Sequence, residues 1–244
     1  MNVILVETSE LDGMGAATIV GRRAAHIASV LKAAPGDTIR VGVLDGPFGL
    51  ATIAAIDDHA VRLRCEFESV VPPRPPVDLL LAVPRPKVLR RLWAQLAALG
   101  VGRIIVTNAE RVERNYFDTH VLTPECYRPL LIEGLQQARD TRLPIVSVHR
   151  QFRVLVEDQL DQLSDASVRL VADPRGSASV TAAVGRQPAS RVLLAIGPEG
   201  GWNEFELSLL EAHGFQTVTM GSRTLRSDTA CISLLSIVHS AINS

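Results

Sequence analysis

The sequence predicts an α/β protein, a parallel sheet covered by helices, preceded by a small all-β domain. Three observations carry that expectation. Residues 77–83 and 192–196 are apolar runs of the kind buried on both faces of a parallel sheet, and a helical pattern follows each. Between residues 192 and 242 the order strand, glycine loop, helix occurs twice in succession. Residues 38–67 instead hold three short strand patterns with tight turns between them, which suits a small β-barrel. The stretch Val71-Pro72-Pro73-Arg74-Pro75-Pro76 separates the two regimes, because four prolines remove backbone donors and stiffen the chain. The expected division is a barrel over residues 1–71, a linker over 72–76 and an α/β domain over 77–244.

Composition narrows the class. At 244 residues, 47% hydrophobic and 21% charged, the chain has apolar material for one large or two modest cores. Cys65, Cys126 and Cys231 are scattered and odd in number, so neither a disulfide framework nor a zinc site is indicated and no metal is expected. No stretch approaches the ~20 apolar residues of a membrane span, and the first residues lack a leader pattern, so a cytoplasmic protein is expected. The net charge of −1 is unevenly spread: −3 over residues 1–83, +6 over 84–153 and −4 over 154–244. A basic middle third is enough for local attraction to phosphate, and solvated arginine-rich helices account for it equally well.

In chain order, Val3 to Val6 reads as a strand and Gly21 to Ala33 as a helix with Ala24, Ile27, Val30 and Leu31 on one face. Strands follow at Thr38 to Leu44, Leu50 to Ile56 and Ala60 to Phe67, joined by Asp45-Gly46-Pro47 and Asp57-Asp58. After the linker and the strand at 77–83, a helix running to Gly100 places Leu89, Leu92, Trp93, Leu96 and Leu99 at helical spacing. Arg85, Lys87, Arg90 and Arg91 crowd its first turns, where the dipole disfavours cations, so an anionic partner or acidic groups elsewhere in the fold account for them. Arg103 to Thr107 is a strand. Arg111, Arg114, Asn115, Tyr116 and Phe117 then mix cations with aromatics, suited to phosphate contact and base stacking or to a pinned surface loop. A helix from Pro124 to Asp140 turns Leu130, Leu131, Leu135 and Ala138 inward. Short strands at 145–148 and 168–172 flank a helix over 152–163, and residues 173–187 read as a Gly/Ser/Ala-rich loop.

The last fifty residues hold the strongest signals. The run Val192 to Ile196 breaks at Gly197-Pro198-Glu199-Gly200-Gly201, where glycines allow positive φ and close backbone approach. Asn203 caps the next helix with Glu206 three residues on, the helix carries Phe205, Leu207, Leu209 and Leu210, and Gly214 ends it. A strand over Gln216 to Met220 enters a second glycine turn, 221–226, and an apolar helix from Ser227 or Asp228 closes the chain. In a parallel sheet such loops leave the carboxyl ends of strands, where ligands bind.

These two motifs carry a resemblance to a known family. GPEGG after an apolar strand, His213-Gly214-Phe215 after the helix, and the turn from Gly221 through Leu225-Arg226-Ser227-Asp228-Thr229-Ala230 resemble the 16S ribosomal RNA (uracil N3) methyltransferases of the SPOUT superfamily. The resemblance implies a C-terminal trefoil-knotted methyltransferase domain, a topology against which general threading rules would have argued. It further implies a PUA-like N-terminal barrel, matched more weakly by His26-Ile27, Val30-Leu31-Lys32 and the Pro-Gly-Asp turn. S-adenosylmethionine as cofactor, 16S rRNA of the small ribosomal subunit as partner and a homodimer joined near the last helix belong to the same implication. The cofactor would be held by the backbone of Ile196, Gly197, Gly201, Met220, Gly221 and Leu225, while Glu199 either positions cofactor or substrate or ties down its own loop. Where the family commonly reads Glu-Gln-x-Gly-Arg-x-Arg-Leu-Pro, Gln137, Arg142, Leu143 and Pro144 match, and Gln136, Arg139 and Asp140 depart.

Methylation of uracil N3 needs in-line positioning and loss of a weakly acidic proton, which leaves negative charge on the ring for a guanidinium to stabilise. Arg226 is the first candidate, and Arg142 or Arg139 the second. Asp228 either accepts the proton or orients Arg226, or it only sits in a first helical turn where a carboxylate is favoured. RNA contacts are expected from Arg22, Arg23, Arg85, Lys87, Arg111, Arg114 and Arg139; His26 meets RNA or is a half-buried histidine. GxGxxG with its distant acid, GxxxxGK[ST], GxSxG and HExxH are all missing. The remaining alternatives are a non-catalytic RNA-binding or ribosome-assembly protein, against which intact GPEGG and LRSDTA argue, and a SPOUT methyltransferase acting on another RNA.

Overall fold

The computed structural model describes residues 3–57, 59–185 and 191–243; Asp58 of the expected turn, and Arg186 and Gln187 of the expected loop, lie outside them. The chain forms two compact units, Met1–Arg74 with Ile132–Leu143, and Pro75–Leu131 with Pro144–Ser244.

In the first unit, β1 (Ile4–Val6), β2 (Ala16–Val20), α1 (Gly21–Ala25), β3 (Thr38–Val43), β4 (Phe48–Ile56) and β5 (Ala60–Phe67) follow in order. The strands make one sheet in the order β1-β3-β4-β5-β2, parallel only between β1 and β3. Along β4 and β5 buried and exposed residues alternate, so one face packs and the other is solvated. Ile4, Val6, Ile19, Ile27, Val41, Ile53 and Leu63 fill the core on the packed side. The strand β2 was not expected, because two alanines and a threonine give a weak strand signal directly before a helix. The helix expected to reach Ala33 stops being α-helical at Ala25 and continues as a π-turn over His26–Val30. That wider turn rotates Val30 off the inner face, leaving it 64% exposed while Ala24 and Ile27 stay buried.

The second unit is a doubly covered parallel sheet. Its elements are β6 (Val77–Ala82), α2 (Pro86–Ala98), β7 (Val101–Thr107), α3 (Pro124–Ala138), β8 (Ile145–His149), α4 (Phe152–Val154), α5 (Leu160–Leu163), β9 (Val168–Ala172), β10 (Ala178–Ser179), α6 (Val180–Val184), β11 (Val192–Ile196), α7 (Glu204–Ala212), β12 (Phe215–Thr219) and α8 (Ser227–Ile242). A π-turn over Leu155–Gln159 joins α4 to α5. The strand order is β10-β12-β9-β11-β6-β7-β8, and every pairing is parallel. Adjacent β6 and β11 are buried at every residue, as their unbroken apolar runs require. The expected loop at 173–187 contains β10 and α6, whose alanines and serines carry little periodic signal.

The helix α3 ends two residues before the expected position, at Ala138, because Arg139 takes a left-handed conformation with φ 59°. Of its expected inward residues, Leu131 and Leu135 are buried, Leu130 is half-buried and Ala138 is exposed. Its last turns and the segment that follows belong by contact to the first unit. There Gln136 O accepts from the Val3 N–H at 3.2 Å, and the buried Thr141 Oγ1 donates to Gly46 O at 2.6 Å.

Candidate functional site

Because every strand of the second sheet runs the same way, all its carboxyl ends open on one edge. Segments leaving three neighbours there, β12, β9 and β11, wall a cavity of about 760 Å³. They are residues 172–175, 196–205 and 218–227 in part, joined by Arg111 and by Ala230 and Leu234 of α8. The predicted cofactor residues Ile196, Gly197, Glu199, Gly201, Met220, Gly221 and Leu225 all line it.

The loop after β11 is held on several sides. Trp202, 1% exposed, lies so close to Gly197 that a Cβ there would stand 3.1 Å from the indole nitrogen, and the ring packs on Phe152 at 5.3 Å between centroids. Gly201 turns the chain at φ +71° and donates its N–H to Pro198 O at 2.8 Å. Arg111 runs along Gly200, where a Cβ would meet its side chain at 3.0 Å, and donates to Gly200 O at 2.6 Å. The Glu199 carboxylate accepts the Arg85 N–H at 3.3 Å, which anchors the loop to the start of α2. The expected capping box is present: Asn203 Oδ1 accepts from the Glu206 N–H and Glu206 Oε2 from the Asn203 N–H, each at 2.8 Å. The other Glu206 oxygen accepts from the Glu110 N–H at 2.7 Å, so this buried carboxylate satisfies two segments at once.

The turn after β12 is different. Residues 220–224 are exposed, Gly221 has φ +110°, and the visible tie is Thr219 Oγ1, which exchanges hydrogen bonds of 3.2 Å with the Gly221 backbone. The helix α8 then begins with Arg226 at its N-cap, and Ser227, the first helical residue, is buried in the cavity wall. Of the apolar residues that α7 carries, Phe205 is 56% exposed at the cavity; Glu206 and Leu210 take the inner positions because the capping box draws Glu206 in. At the floor, burial pushes the Asp173 carboxyl up, and hydrogen bonds from the side chain and backbone of Arg175 outweigh it and hold the group below its ordinary range.

The remaining candidates divide by what their side chains hold. The Arg226 side chain is exposed and has no partner among the described residues, and the residue is not part of the cavity wall. Arg142 donates to Asp45 O at 2.9 Å and pairs with the Asp45 carboxylate at 3.7 Å, so its charge is engaged within the first unit. Asp228 pairs with Arg91 at 3.2 Å, bridging α8 to α2. Arg23 pairs with Glu10 and donates to Leu5 O, a structural engagement that holds the Glu10 carboxyl below its usual range. Arg22, Arg85, Lys87, Arg114 and Arg139 present exposed side chains. Arg111, expected at an RNA surface, is a cavity residue. The sequence reading missed Ala172 at the end of β9, Asp173 and Arg175 beyond it, and Trp202 and Ser227 as cavity residues; only Trp202 carried a signal, as a large apolar side chain directly after a glycine loop.

Comparison with known proteins decides the family. A model of the RNA methyltransferase domain matches residues 72–239, well over half of the chain. The chain belongs to this family. Among RNA methyltransferases, ribosomal RNA small subunit methyltransferase E of Treponema pallidum is 32% identical over 98% of this chain and 90% of its own length. The protein of that name from Mycobacterium tuberculosis is 25% identical over 98% and 92%. A solved structure of ribosomal RNA small subunit methyltransferase E from Neisseria gonorrhoeae, bound to S-adenosyl methionine, aligns with a TM-score of 0.78 at 18% identity, covering 98% of this chain and 97% of that one. A methyltransferase from Legionella pneumophila in complex with the same cofactor aligns at 0.77 and 21% identity, covering 99% and 98%. This RNA methyltransferase therefore shares the mixed α/β fold of those structures along nearly its whole length.

Proposed function

We propose that this chain methylates small-subunit ribosomal RNA with S-adenosylmethionine, at N3 of a uridine in 16S rRNA. The carrying observation is the cavity built by both glycine loops in a member of the RNA methyltransferase family. Its size lies in the ~300–1,000 Å³ range of small-molecule sites. Ile196, Val218, Leu225 and Leu234 offer apolar wall, Gly201 and Gly221 keep backbone accessible, and the Ser227 hydroxyl lacks a partner, so the residues present fit a nucleoside-bearing ligand. The relatives named for small-subunit rRNA, and the neighbours crystallised with the cofactor, support the substrate and the cofactor.

S-adenosylmethionine supplies an electrophilic methyl group on a sulfonium. The chain's own part is mainly positioning: a fixed loop after β11 and a looser turn after β12 hold the ligand between them. Arg226 stands free at the start of α8, where its guanidinium can stabilise charge on a uracil that loses its N3 proton. Arg142 is already engaged by Asp45, which favours Arg226 over it. Exposed Arg22, Arg85, Lys87, Arg114 and Arg139 serve RNA phosphates in this reading. A trefoil knot, a PUA-like barrel over residues 1–71, a linker at 72–76, a catalytic domain over 77–244 apart from residues 132–143, a cytoplasmic location and a homodimer near α8 complete it. The half-buried Ile232, Ile237 and Ile242 of α8 support the dimer, and sedimentation of a 26.4 kDa species at micromolar concentration would overturn it.

The test is calorimetric titration with S-adenosylmethionine, followed by methylation of small subunits from a methylation-deficient strain and mass-spectrometric mapping of the product. Micromolar binding and a methyl group on uracil N3 are expected. Absence of binding both to the free protein and to its mixture with subunits would overturn the reading.

A further inference from the structure

Ser227 points to more than the glycine loops do. A serine at the start of a helix ordinarily caps it from the N-cap position. Here the N-cap is Arg226, with φ −68° and ψ 154° and no side-chain cap bond, so Ser227 stands one residue too late to cap. Its side chain is nevertheless buried, with the residue 4% exposed, and Oγ has no hydrogen-bond partner. A buried hydroxyl without a partner is a net cost to folding, and no contact within the unit offsets it. On α8 the cavity is walled by Ser227, Ala230 and Leu234, spaced three and four residues apart and therefore on one stripe of the helix. Ile196, Val218 and Leu225 stand around them. Within this group the hydroxyl is the one polar side chain on an aliphatic wall. The charged residues of the cavity, Arg111, Asp173, Arg175, Glu199, Glu204 and Arg223, come from other segments.

Resting on the reading that the ligand is S-adenosylmethionine, we propose that Ser227 is its adenine-recognition residue, with Oγ hydrogen-bonded to the polar edge of the base. Adenine has apolar faces and a polar edge. Aliphatic side chains suit the faces, and a hydroxyl, which both donates and accepts, suits the edge. The carboxylate and ammonium of the methionine half belong with the charged segments, because an aliphatic wall would desolvate them without compensation.

The experiment compares wild-type protein with Ser227→Ala, titrating each with S-adenosylmethionine, S-adenosylhomocysteine and 5′-methylthioadenosine, which lacks the amino-acid half. Thermal melting of both ligand-free proteins is recorded alongside. The expected result is a loss of roughly 3- to 10-fold in affinity, by the same factor for all three ligands. Ligand-free Ser227→Ala melts at the wild-type temperature or above it, since the change removes an unsatisfied buried group and no cap. Unchanged affinities overturn the proposal. So does a loss confined to the two ligands that carry the amino acid, which moves Ser227 to the methionine half, and so does a lower melting temperature without ligand, which makes it a structural residue. Failure of the wild-type protein to bind any of the three ligands, alone and mixed with small subunits, sinks the cofactor reading itself and is recognisable as such.

Discussion

The loop after β11 has Pro198 and Trp202 buried, a capping box at its end and bonds from Arg85, Arg111 and Glu110 around it, whereas the turn after β12 leaves residues 220–224 exposed and is tied to itself through Thr219. Both are glycine loops on one cavity, yet glycine serves a different purpose in each. At Gly197 and Gly200 a side chain is excluded because Trp202 and Arg111 occupy the space. At Gly221 there is open space within 4 Å, and the requirement is the backbone itself, at φ +110°. The first loop is thus a prepared surface whose shape belongs to the core, and the second is an exposed wall that few contacts with the core hold, the kind of segment that complies most readily.

Trp202→Ala should break the first half of that comparison with the largest effect. Removing a fully buried indole that supports Gly197 and stacks on Phe152 should cost about 3–5 kcal/mol of unfolding free energy. Denaturant unfolding reads this directly, and a loss under ~1 kcal/mol would mean that the loop does not depend on the core. Asn203→Ala should follow at about 1 kcal/mol, because it removes one arm of the capping box and leaves Glu206 to hold the other. Gly221→Ala should fall below both in stability. Its strain, of order 1–2 kcal/mol in a fixed backbone, relaxes in an exposed turn, so the melting temperature barely moves while affinity for S-adenosylmethionine falls at least about tenfold. A stability loss as large as that of Trp202→Ala would erase the distinction between the loops.

Much of this was legible in the sequence, and for identifiable reasons. Strands β6 and β11 were readable because a strand buried on both faces needs an unbroken apolar run, and α7 because Asn203, Glu206 and Gly214 are start and stop signals with local causes. The two glycine loops were readable as candidate ligand loops at strand ends, whereas their individual cofactor residues followed from the family resemblance. Which apolar residues of α7 face inward was not legible, because the helix register is set by the buried Glu206 cap, which turns Phe205 outward. Residues 132–143 were assigned to the α/β domain by position, and nothing local reports that Thr141 and Gln136 bond to the first unit. Strand β10 and Asp173 were invisible for a similar reason: parallel pairing joins segments forty residues apart, as Ala178 with Val218, and leaves no mark on neighbours in sequence.

The smallest predicted effects on stability separate two residues, Arg226 and Asp228, at the start of α8. Asp228 lies in the first turn of α8 and pairs with Arg91, whose side chain is 69% exposed. An exposed pair contributes about 0–1 kcal/mol, and a carboxylate near a helix N-terminus a similar amount. If Asp228 is a tether between α8 and α2, Asp228→Asn and Arg91→Ala should lose the same small stability and both should keep turnover. If it accepts the N3 proton, Asp228→Asn alone loses turnover, because Arg91→Ala leaves the carboxylate in place. The geometry favours the tether: the carboxylate is directed at α2, and Asp228 is not among the residues that wall the cavity. Arg226→Ala is the contrasting case, expected to abolish turnover with cofactor affinity and melting temperature retained, since its guanidinium holds no partner whose loss the fold would register.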